Sequence, residues 1–241
     1  MILHNIDGVE IPLDHSWKSI SISVSGGADS ALLAFLLCSL VRHHEVHIIS
    51  HTRMWKTRPW QSQNNKDVFE WLGKRFPNVK FHRHTNFIAP DVEYGNSGPI
   101  IKDEYGKMVS GDNAQIRAFA EFVCFNHNID AYYNAVTRNP RNVNFQGMTE
   151  RDIDSRDDNQ HLRISRHMDK WALHPFRFVE KDWIVKQYIR LDIMDLFKIT
   201  RSCEGEFKDI NYITYKSGQH VPLCGSCFWC KEREWAVEQN S

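Results

Sequence analysis

The sequence has neither an excess of one charge nor a long hydrophobic run. Its 241 residues include 30 Lys and Arg and 30 Asp and Glu, so the formal net charge is zero with neutral histidines. This balance argues against a protein that binds nucleic acid over its whole surface. No apolar run approaches the length of a membrane span, and residues 1–10 have neither the basic start nor the apolar core of a signal peptide. We therefore expect a cytoplasmic protein.

The composition is that of an ordinary globular protein. Hydrophobic residues make up 41% of the chain and charged residues 25%, which is typical of a chain that folds around a buried core. The length suits one large domain, or one domain with an appendage. We predict an α/β domain over residues 1–175 and a helical C-terminal region over residues 176–241.

Two common phosphate-binding loops are missing. No Lys follows the first pair of glycines, which excludes a Walker A loop there, and G-x-G-x-x-G does not occur. The sequence Ser25-Gly26-Gly27-Ala28-Asp29-Ser30 stands instead between a short run rich in β-branched residues, 20–24, and an apolar run, 31–41. The first run predicts a buried strand and the second a buried helix.

A glycine-rich turn between a strand and a helix can bind phosphate. Gly26 and Gly27 let the backbone approach a ligand closely, and the N–H groups and dipole of the helix start attract an anion. Ser25 and Ser30 add hydroxyl donors, and Asp29 suits a Mg²⁺ ion that accompanies the phosphates. The alternative is a serine-rich turn that binds nothing.

Strands and helices alternate along the chain. We predict strands over 46–50, 79–84 and 131–136, and helices over 61–76, 113–125, 181–190 and 192–197. This alternation predicts a doubly wound, mostly parallel sheet covered by helices, an α/β fold. In such a sheet, ligands bind beyond the carboxyl ends of the strands.

Three segments lack a clear period. Residues 1–17 suggest an extended segment with an edge strand near Ile11. Residues 86–110 predict a long loop or insertion, and loops of that length within a domain are often functional. Residues 137–170 are polar and charged, which fits either a solvated surface loop or a substrate lid.

Four of the six cysteines lie near the end of the chain, in a pattern typical of metal ligands. Three form C-x2-C-x2-C and the fourth precedes them; the set is Cys203, Cys224, Cys227 and Cys230. Four thiolates can bind Zn²⁺ in a closed, structural site, and an iron–sulfur cluster is the alternative. Cys38 and Cys124 lie on apolar helix faces, so we expect them to be core residues.

The loop and the cysteines together carry a resemblance. Ser25–Ser30 resembles the SGGxDS signature of the PP-loop ATP pyrophosphatases, which cleave ATP between its α and β phosphates. With the C-terminal Cys-Gly-Ser-Cys-Phe-Trp-Cys-Lys-Glu-Arg of residues 224–233, the chain resembles the QueC family, 7-cyano-7-deazaguanine (preQ0) synthase. Further matching positions are Pro175, Thr200, Ser202, and Gly111 and Asn113 in VSGDNAQIRAFAEF.

The resemblance implies a PP-loop (HUP-type, Rossmann-like) fold and a ligase that uses ATP to activate a carboxylate. Pyrophosphate leaves, and ammonia or an amine then gives an amide or a nitrile on 7-carboxy-7-deazaguanine or a related acceptor. The implied cofactors are ATP, Mg²⁺ and Zn²⁺, and family members often form homodimers. The resemblance makes Asp29 and Lys181 catalytic. It places the nucleotide on Ser25, Gly26, Gly27, Asp29, Ser30, Ser50, Gly111 and Asn113.

The chain departs from the family in two loops. The D-Y-G-Q-R-H motif after the second strand is replaced by residues 51–60, and Y-P-D-C-R after the fourth strand is absent. Arg138 and Arg141 follow the fourth strand instead, and a guanidinium suits a planar carboxylate of the acceptor. These departures keep three alternatives open: a divergent paralogue of a phage or defence system, a tRNA-thiolation enzyme on the same fold, and a non-catalytic nucleotide-binding module in a defence complex.

Overall fold

A computed structural model describes residues 1–53, 61–88, 100–102, 108–148, 162–165, 170–203 and 223–241. For residues 100–102, 108–114 and 162–165 it describes the backbone only. Predictions made from the sequence for the other residues, including most of the segment 51–60 and much of 137–170, lie outside the described residues.

The chain begins with a hairpin. Strands β1 (Ile2–Ile6) and β2 (Val9–Leu13) pair antiparallel in a sheet of their own. The strand predicted near Ile11 is therefore present, but it pairs with β1 and does not lie at the edge of the main sheet. Ile11 and Leu13 are fully buried, so one face of the hairpin belongs to the core.

Among the described residues, the main sheet has six strands. Their bounds are β3 Ser19–Ser23, β4 Glu45–Arg53, β5 Lys80–Ile88, β8 Ala131–Tyr133, β9 Leu162–Ser165 and β10 Lys170–Leu173. Their order is β5-β4-β3-β8-β10-β9; five of them run parallel, and only β9 is antiparallel. This order confirms the predicted mostly parallel α/β sheet, because each parallel neighbour needs a crossover connection.

Helices cover both faces of this sheet. The bounds are α1 Ala28–Leu40, α2 Gln61–Arg75, α3 Gly111–Asn126, α4 Lys181–Arg190, α5 Met194–Ile199 and α6 Phe228–Glu238. Ile20, Ile22 and Val46 share one core with α1, α4 and α5, whereas Ile49 packs with Ala120 and Val123 of α3. The period of two along each strand sends alternate side chains to opposite faces, so α1 and α3 lie on opposite sides.

Two predicted loops contain strands. Within 86–110, β5 continues to Ile88, and β6 (Ile100–Lys102) pairs antiparallel with β7 (Met108–Ser110). Within 137–170, β9 forms the edge of the main sheet. The loop predictions were wrong at these positions because short strands with mixed polarity carry too weak a period to detect.

The C-terminal helices pack on the same core as the N-terminal ones. Ile184, Val185 and Tyr188 of α4 are buried with α1, and Ala236 of α6 belongs to that cluster. The predicted division after residue 175 stays a prediction. Among the described residues, no helix is both long and apolar enough to cross a membrane.

Candidate active site

The Ser25–Ser30 loop connects β3 to α1 at the carboxyl edge of the sheet. Gly26 has φ +81°, and a Cβ there would lie 2.7 Å from Cβ of Asn64 in α2. A Cβ on Gly27 would lie 2.8 Å from Oγ of Ser202. Gly26 therefore has to be glycine both for its left-handed backbone and for the close approach of α2.

Hydroxyl groups fix the loop from within. The Ser25 N–H donates to Oγ of Ser30 (3.1 Å), and that hydroxyl lies 3.1 Å from the Gly27 carbonyl oxygen, to which it donates. Oγ of Ser25 accepts the Gly27 N–H at 3.3 Å. Ser30 is buried, whereas Ser25 is exposed. Ser30 thus holds the loop in shape, and its predicted role as a phosphate donor stays a prediction.

The loop leads straight into a helix whose first turn has no side-chain cap. Gly27 is the N-cap of α1, and the helix has no side-chain cap hydrogen bond at this end among the described residues. The first N–H groups of a helix have no partner within the helix. Together with the helix dipole they favour an anion in front of the loop.

The two predicted catalytic residues are in contact, although 152 positions separate them. Nζ of Lys181 donates to Asp29 Oδ1 at 2.5 Å and also lies 3.9 Å from Oε2 of Glu232. Lys181 is 3% exposed and Glu232 fully buried. The carboxylate of Asp29, in the loop itself, offers oxygen ligands of the kind that suit a divalent cation.

The sequence alone did not single out Glu232. It lies in the charged run Lys231-Glu232-Arg233-Glu234, which is typical of a solvated helix face. Its position two residues after Cys230 was the available signal, because Cys230 is itself buried in that helix turn.

Arg233 ties α6 to the segment that follows α5. Its guanidinium donates to Oγ1 of Thr200 (2.9 Å) and to the Phe197 carbonyl oxygen (2.8 Å), and it lies 3.6 Å from the centre of the Phe197 ring. Burial lowers the pKa of Arg233 to about 10, so it remains charged at neutral pH. The segment 200–202 is thereby held against the glycine loop, where Arg201 N–H also donates to the Gly26 carbonyl oxygen at 2.8 Å.

Unpartnered polar groups lie near this edge of the sheet, at the end of β4 and the start of α2. Among the described residues, no hydrogen-bond partner is found for several buried atoms: Oγ1 of Thr52, both amide atoms of Asn65 and both ring nitrogens of His51. Burial, and then the charge of Arg53, lower the pKa of His51 to about 4. Since buried polar atoms normally find partners, the atoms of Thr52 and Asn65 suit a polar ligand, whereas His51 points to the opposite face of the strand and packs on Phe119.

The other predicted nucleotide contacts lie around the same edge. Ser50 is fully buried and donates to the His84 carbonyl oxygen at 3.2 Å, so its hydroxyl joins β4 to β5. Gly111 and Asn113 lie in the first turn of α3, where only the backbone is described. Their roles as nucleotide contacts stay predictions.

Arg138 and Arg141 follow β8. The Arg138 N–H donates to the Val179 carbonyl oxygen (3.0 Å), and its side chain is half-buried, whereas Arg141 is exposed. The structure places both beyond the carboxyl end of a parallel strand, as the sequence predicted. Their contact with an acceptor stays a prediction.

The four predicted cysteines come together. Their sulfur atoms all lie within 4.8 Å of one another, with Cys224 and Cys230 3.8 Å apart and Cys203 and Cys227 4.0 Å apart. Four sulfurs at 2.3 Å around one tetrahedral ion would be about 3.8 Å apart. The set therefore fits a single metal ion.

Hydrogen bonds and burial tune these thiols. The N–H groups of Cys224 and Cys227 point at Cys203 Sγ (3.4 Å) and Cys224 Sγ (3.3 Å). Burial acts against ionisation, but the Cys227 N–H and Ser226 outweigh it and lower the pKa of Cys224 to about 6.

The other two cysteines lie apart from this group. Burial raises the pKa of Cys38 and Cys124. Both of these are buried, which confirms them as core residues.

Comparisons with known proteins find distant likenesses. No family model matches the chain, and no curated protein matches it. Among the solved structures that match, U34-tRNA thiolase NcsA from Methanococcus maripaludis, with its 4Fe–4S cluster, has a TM-score of 0.44 at 12% identity. The match covers 92% of this chain and 64% of the thiolase chain. Phosphoadenylyl-sulfate reductase from Candida auris, in a phosphate complex, has a TM-score of 0.41 at 8% identity, covering 79% of this chain and 82% of the reductase. At these scores, neither protein's activity carries over to this chain.

Proposed function

We propose that this chain is a PP-loop ATP pyrophosphatase that binds Mg-ATP at the Ser25–Ser30 loop and releases pyrophosphate. The observation that supports this most is the contact between Asp29 of the glycine loop and the buried Lys181. It brings an ammonium and a carboxylate to the backbone donors at the start of α1, and phosphoryl chemistry depends mainly on such positioning and charge neutralisation.

Each residue has a role in this proposal. The N–H groups of the loop bind the β and γ phosphates, and Lys181 neutralises charge on the departing pyrophosphate. Asp29 holds Lys181 in place and would also hold a Mg²⁺ ion, which would supply positive charge beside the phosphates.

We propose a QueC-like reaction at this site. A carboxylate oxygen of the acceptor attacks the α phosphorus, and the bond from that phosphorus to the bridging oxygen of the β phosphate breaks, releasing pyrophosphate. Ammonia or an amine then attacks the acyl carbon, loses a proton and displaces AMP. The product is an amide, and a second round with ATP would dehydrate it to a nitrile.

We propose 7-carboxy-7-deazaguanine, or a related acceptor, as the carboxylate. The support is the combination of an SGGxDS loop with four terminal cysteines that lie together. The buried polar atoms of Thr52 and Asn65, for which the described residues offer no partner, supply donors and acceptors for a polar heterocycle. Arg138 and Arg141 are the proposed partners of its carboxylate.

We propose Zn²⁺ as the ion of the four cysteines. The separations of 3.8 and 4.0 Å between sulfurs match the edge of a tetrahedron around one zinc ion, about 3.8 Å. A cluster of several irons needs its thiolates farther apart, because each ligates a different iron. The proposed role is structural, since four protein ligands leave no open position.

The test is incubation with Mg-ATP, 7-carboxy-7-deazaguanine and ammonia, with products read by mass spectrometry. We expect AMP, pyrophosphate and the amide or nitrile, and a loss of at least about 100-fold for Lys181→Ala. Lys186→Ala is the matched control, because Lys186 lies on the same helix but is exposed and pairs with Asp7. Equal rates for the two variants would contradict the role of Lys181.

The same preparation separates the alternatives. A tRNA-thiolation enzyme would contain iron and acid-labile sulfide and would transfer sulfur to tRNA. A nucleotide-binding module would bind ATP without releasing pyrophosphate with any carboxylate. AMP formed only with another carboxylate would keep the ATP chemistry and reject the deazaguanine acceptor.

A further inference from the structure

A second group of metal-ligating side chains lies away from the glycine loop, where β4 and β5 begin. Glu45 and His47 lie on β4, and His82 and His84 lie on β5. His127 follows the end of α3. The glycine loop lies at the opposite, carboxyl end of the sheet, so this group is separate from the proposed ATP site.

Strand register explains why these residues meet. His47 pairs directly with His82 across the parallel ladder. Residues two apart along a strand point to the same face, so Glu45 joins His47, and His84 joins His82. The same face carries Ile49, which packs on α3, and α3 brings His127 to the group: its ring centre lies 5.0 Å from that of His47.

The donor atoms are closely spaced. Nδ1 of His47 lies 3.0 Å from Nε2 of His84, and Nε2 of His82 lies 2.7 Å from Oε2 of Glu45. Glu45, His47 and His82 each offer one donor atom, and these three atoms all lie within 4.8 Å of one another. Nitrogen and oxygen ligands at 2.0–2.1 Å from a tetrahedral ion would be about 3.3 Å apart, so the group needs little movement to close on an ion.

The environment suits a cation that binds imidazole. His47 is buried, and the ring of His82 stacks on it with the two centres 4.4 Å apart. The ring of His84 lies in line with that of His47, with their planes 3° from parallel, their centres 5.2 Å apart and the two nitrogens 3.0 Å apart. Neutral imidazole nitrogens and a carboxylate oxygen are ligands that one divalent ion can share.

The group is also reachable from solvent. The Glu45 and His82 side chains are 38% and 31% exposed, while His47 is buried at the base of the group. An ion could therefore enter at the exposed side and meet a fixed imidazole. Lys80 contacts the other oxygen of Glu45, at 2.6 Å, which leaves Oε2 directed at His82.

We propose that Glu45, His47 and His82 bind a divalent transition-metal ion such as Zn²⁺, with water completing its coordination. His84 holds the His47 ring in position through their hydrogen bond, in the way that the partners of metal-bound histidines usually do. Imidazole and carboxylate ligands suit Zn²⁺ and its neighbours in the first transition row better than Mg²⁺ or Ca²⁺. This site goes beyond the proposed ATP chemistry and does not depend on it.

The test counts metal ions bound to the full-length chain. The protein is dialysed against Zn²⁺, freed of excess metal by gel filtration, and analysed by mass spectrometry of the elements. We expect about two zinc ions per chain, one on the cysteines and one on the histidine group. Glu45→Gln and His82→Gln should each lower the count to about one, while His43→Gln, an exposed histidine between α1 and β4, should leave it at about two.

Co²⁺ distinguishes the two sites spectroscopically. Cobalt on the cysteines gives a thiolate charge-transfer band in the near ultraviolet, and cobalt on imidazole and carboxylate does not. We expect Glu45→Gln and His82→Gln to keep the thiolate band while losing one cobalt ion, which also shows that both variants fold. One metal per wild-type chain, or an unchanged second equivalent in both variants, would overturn the proposal.

Discussion

Gly26 is the residue at which backbone conformation and neighbouring atoms both exclude a side chain. Gly26→Ala must place a Cβ at φ +81°, 2.7 Å from Asn64. We expect a loss of about 1–3 kcal/mol in the free energy of unfolding and weaker binding of ATP, because the loop must move away from α2. Urea unfolding and ATP titration measure the two effects.

Gly73 provides the control for that substitution. It lies in α2 with no atom near the position that a Cβ would take. Gly73→Ala should raise stability by about 0.5–1 kcal/mol, since alanine is the better helix former, and should leave ATP binding unchanged. Equal effects of the two substitutions would show that the loop is not constrained as described.

His51 makes stability depend on pH. Its pKa falls from an ordinary 6.5 to about 4 in the folded chain. Between pH 6.5 and 4, the imidazole therefore binds a proton in the unfolded chain but not in the folded chain. The stability that this group contributes is complete above pH 6.5 and is lost as the pH falls toward 4. The Phe side chain of His51→Phe can pack on Phe119 as the imidazole does. Between pH 7 and 4.5, the free energy of unfolding of this variant should fall by about 2 kcal/mol less than that of the wild type. Parallel urea-midpoint curves for the two proteins would contradict this assignment.

At the scale of elements, α6 connects the four cysteines to the glycine loop. It begins directly after Cys227, contains Cys230, and carries Glu232 and Arg233 toward Lys181 and Thr200. Ser202, adjacent to Cys203, abuts Gly27. The position of the glycine loop should therefore depend on the metal ion proposed for the four cysteines.

Removal of the metal tests this connection. A chelator should make four thiols reactive, while the buried Cys38 and Cys124 react only on unfolding. Backbone amides of α6 and residues 200–202 should then exchange hydrogen faster, by about tenfold or more. Restoring Zn²⁺ should reverse both changes. Fast exchange confined to residues 223–230 would mean that the centre holds only its own loop.

At the scale of the whole molecule, the N-terminal and C-terminal helices share a core. Leu32 and Leu33 of α1 are fully buried in the cluster that contains Ile184 and Tyr188 of α4, and the Tyr188 hydroxyl donates to the Ala28 carbonyl oxygen at 2.7 Å. We expect α1 and α4 to unfold together in one cooperative transition of the metal-loaded protein. Equal protection of their slowest amides against exchange would confirm this, and an earlier opening of α4 would support a boundary near residue 175.

Local signals in the chain were sufficient for most of the elements. The apolar run 31–41 predicts α1 because its residues are apolar on every side, and α1 is indeed buried all round. The spacing of the four cysteines is enough to predict that they lie together. By contrast, β9 and the hairpin of β6 and β7 are too short for their period to stand out.

The sequence alone determines the strand–glycine-loop–helix unit, the alternation that makes the sheet parallel, and the cysteine ligand set, because each depends on residues close together in the chain. The tertiary structure decides which distant groups face one another. It pairs Asp29 with Lys181, buries Glu232 beside them, and gathers Glu45, His47 and His82 on one face. It also buries polar atoms of His51 and Thr52 for which the described part of the chain offers no partner. The reason is physical: contacts across strands and between helices depend on register and packing, and nothing in the local sequence encodes the distance between two atoms that far apart in the chain.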